Sequence, residues 1–325
     1  MYDKPHLSYA DQLAKLESRG LACGDREAGL ALLRSVGYYR LSAYVYPFRE
    51  MLPPSEQCSS SPVSYRAAEL RPGVTLDHVR SLLQFDRQLR ARLLDGLEVV
   101  EVGLKTQVAH VLGERDPLGH LSVDALDGER CAQLRTGLDV TAFDAWLERY
   151  NKLQADARHE DYVRHHLVKY GDRLPIWVAI EFLDFGAVIR LYELLDRRDQ
   201  NRVAAELGVK GGRLLVGWLK ALNYLRNTAA HHARLWNRTP TLKVGRFNQA
   251  QVGPLLAHAA SAPSVDRIYR PIVITAYLTR QIDPSSRWPI NLRDVVRKFP
   301  AVPYVSPELD MGFPADWTKL EIWRP

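Results

Sequence analysis

The sequence predicts an all-α fold, and two long amphipathic patterns are the basis of this prediction. Between residues 75 and 112, apolar side chains recur every three or four positions and make one continuous stripe on a helix. A second stripe of the same spacing predicts a helix from about Arg213 to Trp236. Strand patterns are few, and only Thr241–Val244 or the C-terminal tail suits a short hairpin. The two stripes consist of Leu89, Leu93, Leu97, Val100, Leu104, Val108 and Val111, and of Leu215, Trp218, Leu222, Leu225, Ala229, His232 and Trp236.

The chain divides into three predicted parts. Residues 1–50 form an N-terminal helical extension, in which Ser8 caps a first helix and a second helix ends at Gly37. Residues 51–74 are rich in proline and serine, so we expect a loop. Residues 75–325 form the main helical domain, which ends in a helical and irregular tail.

Further helices are predicted within the main domain. Their predicted ranges are Phe143 to Tyr170, Pro175 to about Gly186 with a continuation to Leu195, and about Asp266 to Gln281. On the long helix, Asp86/Arg90 and Glu101/Lys105 are acid-then-base pairs four residues apart. We place both pairs on the exposed side, where each contributes roughly a few tenths of a kcal/mol.

Composition bounds the functional class. Hydrophobic residues make up 46% of the chain and charged residues 25%, which is ordinary for a globular protein. The net charge of +6 favours polyanionic partners. Three cysteines without C-x-x-C spacing suggest a reducing compartment and argue against a disulfide framework. No signal-peptide pattern or bilayer-length apolar stretch is present, so we expect a cytoplasmic protein without a membrane partner.

The side chains best suited to chemistry lie on the second predicted helix. Arg226 offers a bidentate fork for phosphate, Asn227 an amide that orients a neighbour, and His231 an imidazole. Arg226 and His231 are five positions apart, about 140° around a helix, so they converge only if the helix kinks or a phosphate bridges them. These groups suit RNA cleavage by the 2′-hydroxyl, with histidine moving the proton and arginine stabilising the phosphorane. No metal or other cofactor is needed, and no carboxylate cluster has metal-ligand spacing.

A polar row accompanies this group on the same predicted helix. It steps by three and four residues through Lys220, Asn223, Asn227, His231, Arg234 and Arg238. Lys220, Arg234 and Arg238 are candidate RNA-binding residues, although a solvated face explains the two arginines more simply. His232 falls on the apolar stripe, which indicates a core histidine. Spacing alone therefore favours a structural explanation for this helix.

Two other segments offer basic side chains. Lys105 and His110 repeat the basic-x4-His spacing, which chance explains more simply than function. If both helices face one cleft, however, the two residues would complete a site within the chain. Arg40 lies in a cluster with Tyr38, Tyr39 and Tyr44 that would supply stacking and phosphate contacts to RNA, or would pack the extension on the bundle.

Several ordered motifs extend over nearly the whole chain. They are Gly37–Tyr44, Phe85–Arg90, Pro175-Ile176-Trp177, Phe185-Gly186 and, most specific, Leu225–Arg238. In these motifs the sequence resembles the abortive-infection (Abi) family of the AbiD/AbiF type, which is grouped with HEPN domains. The resemblance implies a HEPN-like helical bundle whose R-x4-6-H motif forms a metal-independent ribonuclease site. Arg226 and His231 would then be catalytic, and Asn227 would occupy the polar position after the arginine.

The resemblance implies a bacterial phage-defence or toxin protein that cleaves RNA. HEPN sites are usually assembled from two motifs across a dimer, so a homodimer is expected, and an antitoxin or a non-coding RNA is allowed as a further partner. A non-catalytic protein of the same family that binds structured RNA is the first alternative. An adaptor whose site binds a protein partner is the second.

Overall fold

The computed structural model describes residues 5–60, 64–137, 139–260 and 267–324. Helices dominate these residues, and the strands form a single two-stranded sheet, so the all-α prediction is confirmed. The N-terminal segment contains α1 (Tyr9–Glu17), α2 (Arg26–Val36), α3 (Tyr38–Val45), β1 (Arg49–Met51) and β2 (Arg66–Leu70). Ser8 caps α1 in a capping box with Asp11, as its sequence predicts.

The small sheet lies at the start of and within residues 51–74, where a loop was predicted: β2 falls inside this segment, and β1 overlaps its first residue. β1 and β2 pair antiparallel, with Arg49 opposite Leu70 and Met51 opposite Arg66. The guanidinium of Arg66 also donates to the Arg49 carbonyl oxygen at 2.7 Å. Neither Thr241–Val244 nor the described part of the tail forms a strand, so the predicted hairpin was wrong in position. Strands this short are held by contacts between distant residues, which local composition does not reveal.

Helix α4 (Leu76–Arg115) is the long helix that the first stripe predicts. Its 40 residues follow the N-cap Thr75, whose hydroxyl accepts the His78 N–H at 3.2 Å. Every residue of the stripe is at most 2% exposed. Helices α8, α10, α11, α14 and α15 pack around α4, which makes it the centre of the bundle.

The remaining helices follow in chain order. They are α5 (Gly128–Ala132), α6 (Ala142–Ala157), α7 (Asp161–Tyr170), α8 (Ile176–Phe182), α9 (Phe185–Leu194), α10 (Arg197–Glu206), α11 (Gly212–Ala230), α12 (Gln249–Val252), α13 (Ala257–Ala260), α14 (Tyr269–Ile282) and α15 (Trp288–Arg297). Shorter 3-10 and π turns connect them and form the tail.

The helix predictions after α4 were correct in place and less accurate at their ends. The predicted Phe143–Tyr170 stretch is two helices, and Pro175 caps α8 instead of lying in its first turn. The predicted start of α14 at Asp266 lies outside the described residues. Helix α15 occupies a segment expected to be irregular, because the prolines around it hide the spacing of Trp288, Leu292 and Val296 on its buried face.

One continuous hydrophobic cluster connects the parts of the chain. It extends from Leu13 in α1 to Trp323 near the C-terminus, so the N-terminal extension and the tail share the core of the bundle. Gly96 allows α15 to approach α4, because the Trp288 ring occupies the place of a β-carbon there. No helix in the described ranges is long and apolar enough to cross a lipid bilayer.

His120 is buried in this core without polar partners. It is 0% exposed, packs edge-on against Tyr150 at 5.1 Å between ring centroids, and neither ring nitrogen has a hydrogen-bond partner among the described residues. Burial disfavours the imidazolium and lowers the pKa of His120 to about 4. The unfolded chain takes up this proton near the ordinary pKa of 6.5, so the folded state loses stability as the pH falls from 6.5 towards 4.

His120→Leu should remove that loss. At about 1.4 kcal/mol per pKa unit, the free energy of unfolding should fall between pH 7 and pH 4 by about 3 kcal/mol less in the variant than in the wild type. Urea denaturation at the two pH values measures the difference, with the exposed His165→Gln variant as control. If the free energy of unfolding fell equally in wild type and His120→Leu between pH 7 and pH 4, the buried neutral His120 would not be the cause of the pH dependence.

Candidate functional site

Helix α11 presents polar side chains to a cleft of about 290 Å³. Its apolar residues Leu215, Trp218, Leu222, Leu225 and Ala229 are at most 1% exposed, as the second stripe predicts. The polar side of the helix therefore borders the cleft, opposite α6 and the start of α9. The cleft is lined by Arg149, Asp184, Gly186, Arg190, Asn223, Arg226 and Asn227.

Close contact between α9 and α11 shapes this cleft. A β-carbon on Gly186 would lie 3.4 Å from the Asn223 side-chain nitrogen and 3.4 Å from Asp184 Oδ1. Asp184 caps α9 by accepting the Ala187 N–H at 2.7 Å and also forms an ion pair with Arg149. Burial opposes ionisation of Asp184, but these donors outweigh it and leave its pKa below the ordinary value.

Arg226 is held in place and remains accessible. Its Nη1 donates to Asn227 Oδ1 at 3.2 Å, and its Nη2 lies 3.8 Å from Glu101 Oε2. The Arg226 side chain is 36% exposed, so it is not sealed inside the core. The two partners orient the guanidinium while leaving donors free for an anion in the cleft.

Glu101 brings two distant cations together. Lys105 Nζ lies 3.7 Å from Glu101 Oε1 and donates to the Glu181 carbonyl oxygen at 3.3 Å. Burial raises the pKa of Glu101, with Lys105 and Arg226 opposing the rise. The basic residues of the two basic-x4-His segments therefore meet at one carboxylate. The Glu101/Lys105 pair was wrongly placed on the exposed side, since both side chains are about 15% exposed.

His110 lies on a different side of α4 from Lys105. Five residues correspond to about 140° on a helix, which turns His110 away from α11. His110 is exposed and acts electrostatically on Glu114, which pairs with Arg202 of α10 at 2.5 Å. The structure thus brings Lys105 to Arg226 without His110.

Helix α11 ends six residues earlier than its stripe predicts. His231 is its C-cap, and His232 adopts a left-handed conformation with φ of 56°. The Ala233 N–H donates to the Thr228 carbonyl at 3.1 Å, and the His232 N–H to the Ala229 carbonyl at 3.0 Å. These two bonds form a Schellman motif with histidine where glycine is usual. Both histidines are exposed, so the prediction of His232 as a core residue was wrong.

Asp86 binds the chain just beyond this turn. Its carboxylate is fully buried and accepts the Trp236 N–H at 2.8 Å, the Leu235 N–H at 3.2 Å and the Tyr44 hydroxyl at 2.5 Å. Arg90 completes the set with an ion pair. Asp86/Arg90 was therefore also wrongly predicted to be exposed. Both residues lie in the Phe85–Arg90 motif, which contributed to the family resemblance without indicating a buried network.

Residues 31–237 match the family described as Abi-like protein. The chain belongs to the Abi-like family. The match confirms the resemblance to an abortive-infection family and connects the chain with phage defence. Comparisons with curated proteins and with solved structures gave no match.

The Abi-like segment contains every residue of the buried Asp86 network and all the residues that line the small cleft. Its boundary at residue 237 lies one residue beyond Trp236, whose N–H Asp86 accepts. Glu101, Arg149 and Arg190 lie in this segment as well, although nothing in their spacing marked them as members of the site.

Arg234 and Arg238 follow the turn and are not on α11, so the predicted polar row is correct only as far as Asn227, with His231 at its end. Arg234 donates to the Ala43 carbonyl oxygen of α3, and burial lowers its pKa. Arg238 Nε donates to the Tyr224 hydroxyl at 2.8 Å. Both guanidinium groups hold the segment after α11 in place.

The other candidate RNA-binding residues lie apart from Arg226. Lys220 is 49% exposed and pairs with Glu193 at 2.5 Å beside a larger cleft. Arg40 is exposed on α3, next to Tyr39, which is 91% exposed. Tyr44 of the same cluster is buried against Asp86. The described residues include no group of three or more His, Cys, Asp or Glu side chains suited to a metal ion.

His232→Gly should raise the free energy of unfolding by about 0.5–1 kcal/mol, because glycine adopts the left-handed conformation without the steric cost. His165→Gly, on the exposed side of helix α7, is the control and should lower it by about 1 kcal/mol. Urea denaturation measures both. A loss of stability in His232→Gly would show that the imidazole, and not the backbone, stabilises the turn.

Proposed function

We propose that this Abi-like protein is a metal-independent endoribonuclease of HEPN type that acts in phage defence or as a toxin. The observation that carries the proposal is the Arg226 guanidinium, oriented by Asn227 and Glu101 at the edge of an open cleft. An arginine that only stabilised the fold would not need to keep its guanidinium accessible in a cleft that two further arginines, Arg149 and Arg190, also line.

The proposed reaction is attack of a ribose 2′-hydroxyl on the adjacent phosphorus. The new P–O2′ bond forms as the P–O5′ bond breaks, giving a 2′,3′-cyclic phosphate and a 5′-hydroxyl. His231 takes the 2′-hydroxyl proton, and Arg226 stabilises the negative charge on the phosphorane oxygens. Asn227 positions Arg226. Because His231 is exposed at the end of α11, four residues after Asn227, its imidazole is accessible to a phosphate that Arg226 binds and that bridges the two side chains.

The leaving oxygen needs a proton from the side opposite the base. Each chain carries one Arg226–His231 motif, and His110 of the second basic-x4-His segment faces α10. We therefore propose a symmetric homodimer in which the second histidine is His231 of the other protomer. Lys105 adds a positive charge beside Arg226 without joining the proton transfer.

Cleavage assays with purified protein in the presence of a chelator test the proposal. Wild type should cleave single-stranded RNA, and Arg226→Ala and His231→Ala should each reduce the rate about 10²–10⁴-fold. Arg226→Lys should not restore the rate, because lysine lacks the planar fork.

His232→Gly is the matched control and should cleave at the wild-type rate, since it removes a neighbouring imidazole without straining the turn. Equal activity of wild type, Arg226→Ala and His231→Ala would end the proposal.

A structured-RNA-binding protein without catalysis is the second candidate. It is favoured by the exposed pair Tyr39 and Arg40 on α3, which offers an aromatic ring and a cation to an unpaired base. Binding with a steep salt dependence and no cleavage by wild type would select this function.

A further inference from the structure

A second and larger cleft adjoins the Arg226 cleft. Its volume is about 720 Å³, and Arg190 lines both clefts. Helix α11 forms a wall of each, because Arg213, Val216, Lys220, Asn223 and Asn227 follow one another by three and four residues. This face of the helix is about 21 Å long, at 1.5 Å per residue. The two clefts thus form one path along α11.

The larger cleft is strongly basic. Its charged lining consists of Arg130, Arg135, Arg190, Arg213, Lys220 and a single carboxylate, Glu193. Glu193 is occupied by Lys220 at 2.5 Å, and Arg130 pairs with Asp127 at 3.2 Å. Positive charge therefore exceeds negative charge along the wall.

Three of these cations have no direct partner. Within the described ranges, the side chains of Arg135, Arg190 and Arg213 form no ion pair or hydrogen bond, and all three are exposed. Partial burial of Arg190 in the cleft and then repulsion from Arg135 lower its pKa, although Asp184 and Glu193 oppose the shift from a distance. Gathering unpaired like charges in a concave site costs free energy unless an anion enters it, so the arrangement favours a polyanion.

The apolar lining narrows the choice of polyanion. Leu134, Ala142 and Val216 line the same cleft as the arginines. A nucleotide of a single strand has an apolar base face to place on such side chains and phosphates to place on the arginines. A volume of about 720 Å³ suits nucleotides of one strand and is too small to enclose a duplex.

We infer that the larger cleft binds the single-stranded RNA segment next to the scissile phosphate, with Arg135, Arg190 and Arg213 contacting its backbone. The inference rests on the proposed function, because it takes the Arg226 cleft as the place of cleavage. Because Arg190 lines both clefts, it would contact the RNA backbone where the strand runs from one cleft into the other.

Binding measured without turnover tests the inference separately from catalysis. In a His231→Ala background, fluorescence anisotropy of a labelled single-stranded RNA should show Arg190→Gln/Arg213→Gln weakening binding about tenfold or more near 0.1 M salt. The slope of log affinity against log salt should fall by about 1.4, or 0.7 for each lost phosphate contact. Arg34→Gln/Arg297→Gln removes the same charge from two exposed arginines outside the clefts and should bind as the parent does.

Each alternative result has a definite meaning. Equal losses in the cleft pair and the control pair, or no RNA binding by the parent, would overturn the inference. If Arg190→Gln/Arg213→Gln weakened binding of duplex RNA as much as binding of single-stranded RNA, the single-strand assignment would be overturned. A nucleoside triphosphate that bound as tightly as the single strand would overturn it as well. Loss of binding in the cleft pair, together with a wild type that does not cleave RNA, would support the cleft and reject the nuclease.

Discussion

The buried Asp86 carboxylate is the interaction on which the architecture of the site depends. It accepts hydrogen bonds from Tyr44 of α3 and from the backbone of Leu235 and Trp236, and it pairs with Arg90 on its own helix. A carboxylate that is fully buried is costly unless such donors surround it, so removal of one partner destabilises the rest. The network joins the N-terminal extension, the central helix and the segment after α11 at one point.

The path of the chain after α11 follows from this anchor. Leu235 and Trp236 are held at Asp86, so the chain has to leave the helix at His231 and reverse through the left-handed His232. Arg234 reinforces the reversal by donating to α3. His231 is left exposed at the end of the helix that carries Arg226. The same turn therefore serves stability and presents the imidazole.

Inside the bundle, the Glu101 carboxylate interacts with two cations, Lys105 and Arg226. Glu101 lies between Lys105 and Arg226, which fixes both without neutralising either completely, because each is between 3.7 and 3.8 Å from it. On the cleft side, Asp184 neutralises Arg149, while Arg190 keeps its charge free. Within the described residues, Arg190, which lines both clefts, therefore carries positive charge without an ion pair between Arg226 and the larger cleft.

The sequence was sufficient to predict the all-α fold class and the position of most helices, because the spacing of apolar residues indicates directly which side of a helix is buried. The stripe residues of α4, from Leu89 to Val111 at every third or fourth position, lie in the core as their spacing predicts. It failed at Trp236, where the apolar spacing continues although the helix has ended. A Schellman turn with histidine in place of glycine carries no composition marker, and the partner that imposes it, Asp86, lies 150 residues away.

The members of the site were only partly predictable for a related reason. Arg226, Asn227 and His231 stood out because their chemistry and spacing coincide with a known motif. Glu101 looked like an ordinary surface pair with Lys105, and Arg190 was one arginine among many. Their roles come from the packing of α4 and α9 against α11. Contacts between residues distant in sequence set this packing, such as the close approach of α9 to Asn223 that Gly186 allows.

Amide hydrogen exchange of the segment from His231 to Trp236 tests directly whether Asp86 fixes the turn. In the wild type we expect the Leu235 and Trp236 amides to exchange as slowly as core amides of α14. In Asp86→Asn their exchange should accelerate by roughly two orders of magnitude, while Asp77→Asn, an exposed change on the same helix, should leave it unaltered. Unchanged slow exchange of both amides in Asp86→Asn would show that the turn forms without the carboxylate.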